Sequence, residues 1–205
     1  LISDIASVDG VYRIRLGSLE PRIITESFVQ ALSEISQICP QFHLSLQSGS
    51  DTVLKRMNRH YSAAEYLNSV NILRKYFSDP AITTDVIVGF PGETAEEFDE
   101  TVEFLKKVNF YETHVFKYSR RAGTVADKMP GQLTDAEKSA RSDILLQMTA
   151  ELKAAFSNHY ISTVPVEVLF EDLETINGTE YITGYTREYI RAALPSGSAE
   201  PGDIM

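Results

Sequence analysis

The residues with chemical potential gather in short polar stretches that each follow an apolar run. These are Gly17-Ser18-Leu19-Glu20-Pro21, Gln47-Ser48-Gly49-Ser50-Asp51, Gly89-Phe90-Pro91-Gly92-Glu93 and Tyr118-Ser119-Arg120-Arg121-Ala122-Gly123-Thr124. The third is the sharpest. Ile82, Val86, Ile87 and Val88 read as a strand buried on both faces. Gly89 and Gly92 then permit backbone angles that other residues resist, and Pro91 fixes φ. Thr94-Ala95-Glu96-Glu97 follows as a capping box, the start of a helix. A strand, a tight turn and a helix N-terminus is where α/β folds seat ligands, because helix N–H groups point there. A well-made strand-to-helix turn with nothing bound reads the same way. Asp85 is a carboxylate inside the apolar strand, and a buried charge needs a partner.

Basic residues favour the same stretches. Lys55, Arg56, Arg59 and His60 follow the Gln47 turn, and Arg120 and Arg121 sit in the last one. On an acidic protein this arrangement would steer a polyanion to one face. A solvated helix face explains Lys55 and Arg56 equally well. His43 and His114 lie in strands, where histidine is more often a hydrogen-bonded packing residue, so neither receives a role. Cys39, before Pro40 at an expected helix end, reads as structural. The sequence has no zinc-type spacing, no Gly-Lys-Ser phosphate loop and no assignable Ser-His-Asp set.

The elements that must position these residues alternate. Strands are expected over Val11–Leu16, Phe42–Leu46, Ile82–Val88 and His114–Tyr118, recurring about every 30–40 residues with helices between. One helix is expected near Glu26 to Ile38. Ser62-Ala63-Ala64-Glu65 and Thr134-Asp135-Ala136-Glu137 are further capping boxes. They open helices with stripes Tyr66, Val70, Leu73, Phe77 and Leu145, Met148, Leu152, Phe156. Such βαβ units make a parallel sheet, either half of an eight-stranded barrel or most of an open doubly wound sheet. From about residue 163 the period becomes two (Val164, Val166, Val168, Phe170), and Asn177-Gly178 marks a hairpin. The expected domains are therefore 1–162 and 163–205.

Composition sets bounds. The chain has 205 residues and a formal net charge of −10, which argues against broad nucleic-acid binding and leaves room for a local basic patch. Its single cysteine excludes an internal disulfide framework and suggests a reducing, cytoplasmic setting. No apolar run approaches the ~18 residues of a membrane span, so no membrane partner is expected. The start at Leu1 and the end at Glu-Pro-Gly-Asp-Ile-Met suggest an excised piece.

Taken together, "RIRLGSLEP", "FHLSLQSGSDTVLKRMNRHYS", "ITTDVIVGFPGET" and "VFKYSRRAGTVADKMPGQL" resemble the radical S-adenosylmethionine (SAM) methylthiotransferases. Among them the chain is most similar to the bacterial branch acting on threonylcarbamoyladenosine in tRNA. "VEVLFED…GYTREYIRA" resembles the family's TRAM module, a small RNA-binding β-barrel, here truncated. The resemblance implies a partial (β/α) barrel of the radical SAM type followed by that antiparallel module. It implies SAM and 4Fe-4S clusters as cofactors, the cluster ligands lying outside this chain. It also implies tRNA and an electron donor such as flavodoxin or ferredoxin as partners. The chemistry implied is addition of a methylthio group to carbon two of the modified adenine. On the family's pattern Gln47 and Ser48 would contact ribose or methionyl, and Asp85, Gly89 and Tyr118 the adenosine. Arg15 and Glu20 would lie at the pocket rim. Arg59, Arg120 and Arg121 would meet tRNA phosphates, and Tyr185, Arg187, Tyr189 and Arg191 would stack on bases and hold phosphates. Two departures stand out. Arg120 replaces the proline usual in that loop, and the family's Cys-x3-Cys-x2-Cys motif is absent. The isolated chain is accordingly expected to be inactive. Other readings are a non-catalytic RNA-binding module, the branches acting on isopentenyladenosine or on a ribosomal protein, and another barrel enzyme binding a phosphate at the turn. The ribosomal-protein branch usually has His-Ala where this chain has Ser48-Gly49, which favours tRNA.

Overall fold

The computed structural model describes residues 1–163 and 165–205, with the side chains of 161–163 left aside; Val164 of the expected alternating run lies outside the described residues. In chain order the elements are α1 (Ile2–Ala6), β1 (Ile14–Leu19), α2 (Glu26–Ser33), β2 (Ile38–Leu44), α3 (Asp51–Arg56), α4 (Ala63–Tyr76), β3 (Ala81–Val88), α5 (Ala95–Val108), β4 (Glu112–Lys117), α6 (Asp135–Thr163), β5 (Val168–Ile176), β6 (Thr179–Thr186) and β7 (Arg191–Pro195). Strands β1 to β4 form one sheet in sequential order, and every pairing in it is parallel. Strands β5 to β7 form a separate antiparallel sheet.

Local sequence explains the helices. Ser62 and Glu65 close a complete capping box on α4, as Thr94 and Glu97 do on α5. Thr134 and Glu137 exchange the same bonds at the head of α6. Helix α5 stops where Asn109 turns left-handed at φ 56°. One core holds the parallel sheet together. Phe42, Leu44, Ile82, Val86 and Val88 point from the strands onto Val29, Leu32, Val70, Leu73 and Leu105 of the helices, all buried. The opposite face of the sheet is polar, carrying Gln41, His43, Thr83, Asp85 and His114.

Two strands differ from expectation. Strand β1 starts at Ile14 rather than Val11, because its ladder begins only where Ile14 N–H meets the Gln37 carbonyl at 2.8 Å. Strand β2 starts at Ile38 and runs through Pro40, so Cys39 is a buried strand residue and not a helix end. Proline cannot donate to a ladder. The register accommodates it by an irregularity: Ile14 faces Ile38, yet Leu16 already faces Phe42. In the antiparallel sheet Asn177 and Gly178 both take positive φ, 51° and 80°, as a two-residue hairpin requires. The chain's last residues pair back on β5, with Val168 N–H reaching the Met205 carbonyl at 2.7 Å.

Gly49 marks the closest approach in the parallel unit. A Cβ there would lie 2.7 Å from Phe104 Cβ and 2.8 Å from Thr101 Cα on α5. Gly49→Ala is therefore expected to destabilise by about 1–3 kcal/mol, lowering the melting temperature by several degrees in a circular-dichroism melt. An unchanged melt would show that α5 yields at no cost.

Candidate functional site

Parallel pairing makes all four strands end at one edge, and the polar stretches after β2 and β4 are joined there by backbone hydrogen bonds to the end of β3, which leads into the third. Gln47 N–H donates to the Asp85 carbonyl at 2.8 Å, and Ile87 N–H donates to the Gln47 carbonyl at 2.9 Å. Tyr118 N–H donates to the Val88 carbonyl at 2.9 Å, and the Tyr118 ring meets Phe90 edge-on at 5.4 Å. The Gln47 peptide can bridge β3 this way only with φ at +74°, an uncommon angle for a residue with a side chain.

The turn after β3 is held from inside. Glu93 is 5% exposed, accepts from Gly89 N–H at 3.0 Å and pairs with Arg141 of α6. Burial pushes its carboxyl up from the usual range, against the opposing pull of the Gly89 N–H and Arg141. Gly92 N–H donates to the Gly131 carbonyl at 2.8 Å, so the segment before α6 lies across the turn. Gly89, at φ +71°, lies under Lys138: a Cβ there would come 2.3 Å from Lys138 Cγ. A second clamp joins α3 to α5. Arg56 grips both oxygens of Glu97 at 2.8 and 2.5 Å, and Thr52 donates to the same carboxylate at 2.5 Å. The guanidinium holds the Glu97 carboxyl down at about 2.

These contacts sort the anticipated site residues. Gln47 and Tyr118 stand at the strand-tip edge. The Gln47 amide makes no hydrogen bond among the described residues, and the Tyr118 hydroxyl is buried without a partner. Gly89 is in the turn itself. The Ser48 hydroxyl is 3.2 Å from Thr101 Oγ1 and accepts from Ser50 N–H, so its side chain faces α5 rather than the mouth. Asp85 lies lower, in mid-sheet, with its carboxylate 3.3 Å from His43 Nε2. Arg59 and Arg121 are exposed at the tip edge. Arg120 is tied to Asp127 by its side chain at 3.0 Å. Arg56 belongs to the Glu97 clamp rather than to a free basic face.

The β-module docks on the other end of the strands. Arg187 donates to the carbonyls of Ser36 and Ile38, where β2 begins, the second at 2.8 Å. Arg13 donates to the Tyr185 carbonyl at 2.9 Å and to Glu167 at 2.9 Å. Arg15, expected near the pocket rim, instead reaches the Arg187 carbonyl at 3.2 Å and lies 4.5 Å over the Tyr189 ring. Its place at the start of β1 puts it at the far edge. Tyr189 stacks on Tyr185 at 4.3 Å. Arg191 of β7 pairs with Glu174 of β5 across the central strand β6. His43 and His114, given no role from sequence, share the polar sheet face with Asp85. Inward parity along β2 and β3 was the available signal.

Four parallel strands flanked by helices, with the irregular turn after β3 at the mouth, define a partial barrel of the radical SAM type. A solved structure supports this. The coproporphyrinogen III oxidase HemN of Escherichia coli, described as a radical SAM enzyme, superposes with a TM-score of 0.51 at 20% identity, covering 70% of this chain and 32% of that one. The family model for the radical SAM superfamily matches residues 4–105. The threonylcarbamoyladenosine tRNA methylthiotransferase MtaB of Bacillus subtilis is 39% identical over 97% of this chain and 44% of its own length. The tRNA-2-methylthio-N(6)-dimethylallyladenosine synthase of Desulfotalea psychrophila is 40% identical over 100% of this chain and 45% of its own. The chain belongs to the radical SAM superfamily, is similar to methylthiotransferases within it, and spans less than half the length of these curated relatives. Among the described residues no helix is long and apolar enough to cross a membrane.

The Glu97 clamp gives a pH test. Its carboxyl is depressed from an ordinary 4.5 to about 2, so its stabilisation is complete above about pH 5 and is lost as pH falls toward 2. In Arg56→Met the acid limb of the stability profile should flatten over that window. A limb identical to that of the parent would remove the pair from the stability balance.

Proposed function

We propose that this chain is the SAM-holding part of a tRNA methylthiotransferase that adds a methylthio group to carbon two of N6-threonylcarbamoyladenosine next to the anticodon. The observation that carries this reading is the buried Tyr118 hydroxyl, unpartnered at the strand tips. A buried polar atom without a partner is rare and asks for one from a ligand. The Gln47 amide and the Tyr118 hydroxyl flank the turn after β3 and would face the polar edges of SAM, with the Gly89 backbone beside them. Asp85 contributes through its carbonyl, which fixes Gln47. Ser48 contributes through its backbone, since its hydroxyl is engaged with Thr101 and Ser50.

When bound, SAM would supply one-electron C–H chemistry and a methyl group. The chain's own residues shape the mouth: Glu93 and Arg141 keep the turn closed, and the head of α6 with Lys138 covers it. An iron–sulfur cluster does not fit this chain, because cysteine ligation needs several thiolates and the single Cys39 is 1% exposed within β2. In the reading proposed here the cluster ligands and the contact for an electron donor belong to other parts of the complete protein.

Arg59 and Arg121 are the phosphate contacts this reading favours, being exposed at the mouth edge, with Arg120 placed by Asp127 to shape the loop between them. Tyr185 and Arg187 act first as a seam that orients the β-module, and the RNA surface of that module is then presented in a set direction. The threonylcarbamoyl substrate rests on the quoted motifs and on the Bacillus relative. The Desulfotalea relative supports the dimethylallyl alternative at 40% identity against 39%.

Mass spectrometry of tRNA nucleosides from cells lacking the gene separates them. Loss of 2-methylthio-threonylcarbamoyladenosine, restored by the gene, is expected. Loss of the methylthio-dimethylallyl nucleoside instead would transfer the activity to the other substrate. Unchanged levels of both would contradict a tRNA methylthiotransferase.

A further inference from the structure

The polar face of the parallel sheet holds a side-chain group that the SAM reading does not use. His43, Asp85 and His114 come from three adjacent strands in matched register, with Asp85 opposite His114 and Thr83 opposite His43. One ligand atom from each lies within 4.8 Å of the others. The rings of His43 and His114 are 5.9 Å apart and 31° from parallel. We propose that these three side chains form a binding site for one divalent transition-metal ion of the zinc or cobalt type.

Several features of the group support an ion rather than a plain hydrogen-bonded pair. Two imidazoles and one carboxylate are the donor set suited to late first-row divalent metals. Three protein ligands leave a position open for water or a substrate atom, as in sites that do chemistry. His43 is oriented from behind: its Nδ1 is 3.1 Å from Thr83 Oγ1, and Gln41 donates to the same hydroxyl at 3.3 Å. With Nδ1 so engaged, Nε2 is turned toward Asp85, which is how outer partners position a metal-binding histidine. His114 makes no hydrogen bond among the described residues and is exposed. Metal–ligand bonds of about 2.0–2.2 Å need the ligand atoms to close inside their present spread, and His114 has the freedom to swing in. The Asp85 and His43 side chains are 29% and 16% exposed, sheltered yet open to an entering ion.

The site is separate from the mouth in both place and chemistry. Asp85 serves the mouth only through its backbone carbonyl, so its carboxylate is available here. Cysteine thiolates take no part: the one cysteine, Cys39, is buried near the start of β2, four residues before His43.

The test is a titration of the chelator-treated 205-residue chain with Co²⁺ near neutral pH, read by visible absorption, followed by displacement with Zn²⁺. One equivalent of Co²⁺ should bind with a ligand-field spectrum. His114→Ala, at an exposed position with little bearing on folding, should weaken binding by at least about tenfold, and so should Asp85→Asn. Thr83→Val should keep the stoichiometry and weaken binding about 10–100-fold, a loss that only an outer-shell role for Thr83 produces. Circular-dichroism melts confirm that each variant is folded. Absence of a bound equivalent in the parent chain would overturn the proposal. So would binding that is unchanged in both His114→Ala and Asp85→Asn, which would assign the ion to other groups and leave His43 and Asp85 as a hydrogen-bonded pair.

Discussion

The peptide of Gln47 lies between Asp85 and Ile87, bonded to both, and the mouth of the sheet depends on that wedge. It ties the end of β2 to β3 after the regular ladder between them has stopped at His43. It requires a left-handed angle at a residue with a long side chain, and it fixes the Gln47 backbone against the end of β3 that leads into the turn. Tyr118 is drawn to the other side of β3 by the same kind of bond to Val88. Two flanking strands thus deliver polar groups to one place because the central strand offers backbone groups beyond its paired length. Parallel pairing supplies the shared edge, and the wedge at Gln47 gives it chemical character.

Charge pairs then make the edge rigid. Glu93 and Arg141 join the turn to α6, and Arg56 and Glu97 join α3 to α5. Both pairs are partly or wholly sheltered, where removing one partner costs far more than the intact pair contributes. A third set of arginines, Arg13, Arg15 and Arg187, works at the opposite end and fastens the β-module to the strand beginnings. The few arginines of this acidic chain therefore do mostly internal work. Arg59 and Arg121 are left facing solvent at the mouth, which narrows the basic surface available to any polyanion.

Much of this was legible in the residues. The three capping boxes set the heads of α4, α5 and α6, because a Ser or Thr three residues before Glu has one dominant use. The Asn177-Gly178 turn and the β-branched run before Gly89 were equally local. What sequence reading missed depended on register. Pro40 argues against a central strand, and only the irregular pairing of β1 with β2 shows how it is tolerated. The buried charge of Asp85 called for a partner, yet naming His43 requires knowing that Thr83 lies opposite it. Ser48 looked like part of a binding loop, but Gly49 lets that loop fall against α5 and carries the hydroxyl with it. The place of Arg187 follows from contacts with residues about 150 positions away in the chain, for which no local pattern exists.

The central claim is that the strand-tip edge, and not the seam at the other end, binds SAM. Isothermal titration of SAM into the complete protein tests it directly with two variants. Gln47→Ala should weaken binding by about tenfold or more, equivalent to about 1.4 kcal/mol, while Tyr185→Ala should leave the affinity unchanged. Full affinity in Gln47→Ala together with a loss in Tyr185→Ala would contradict the account.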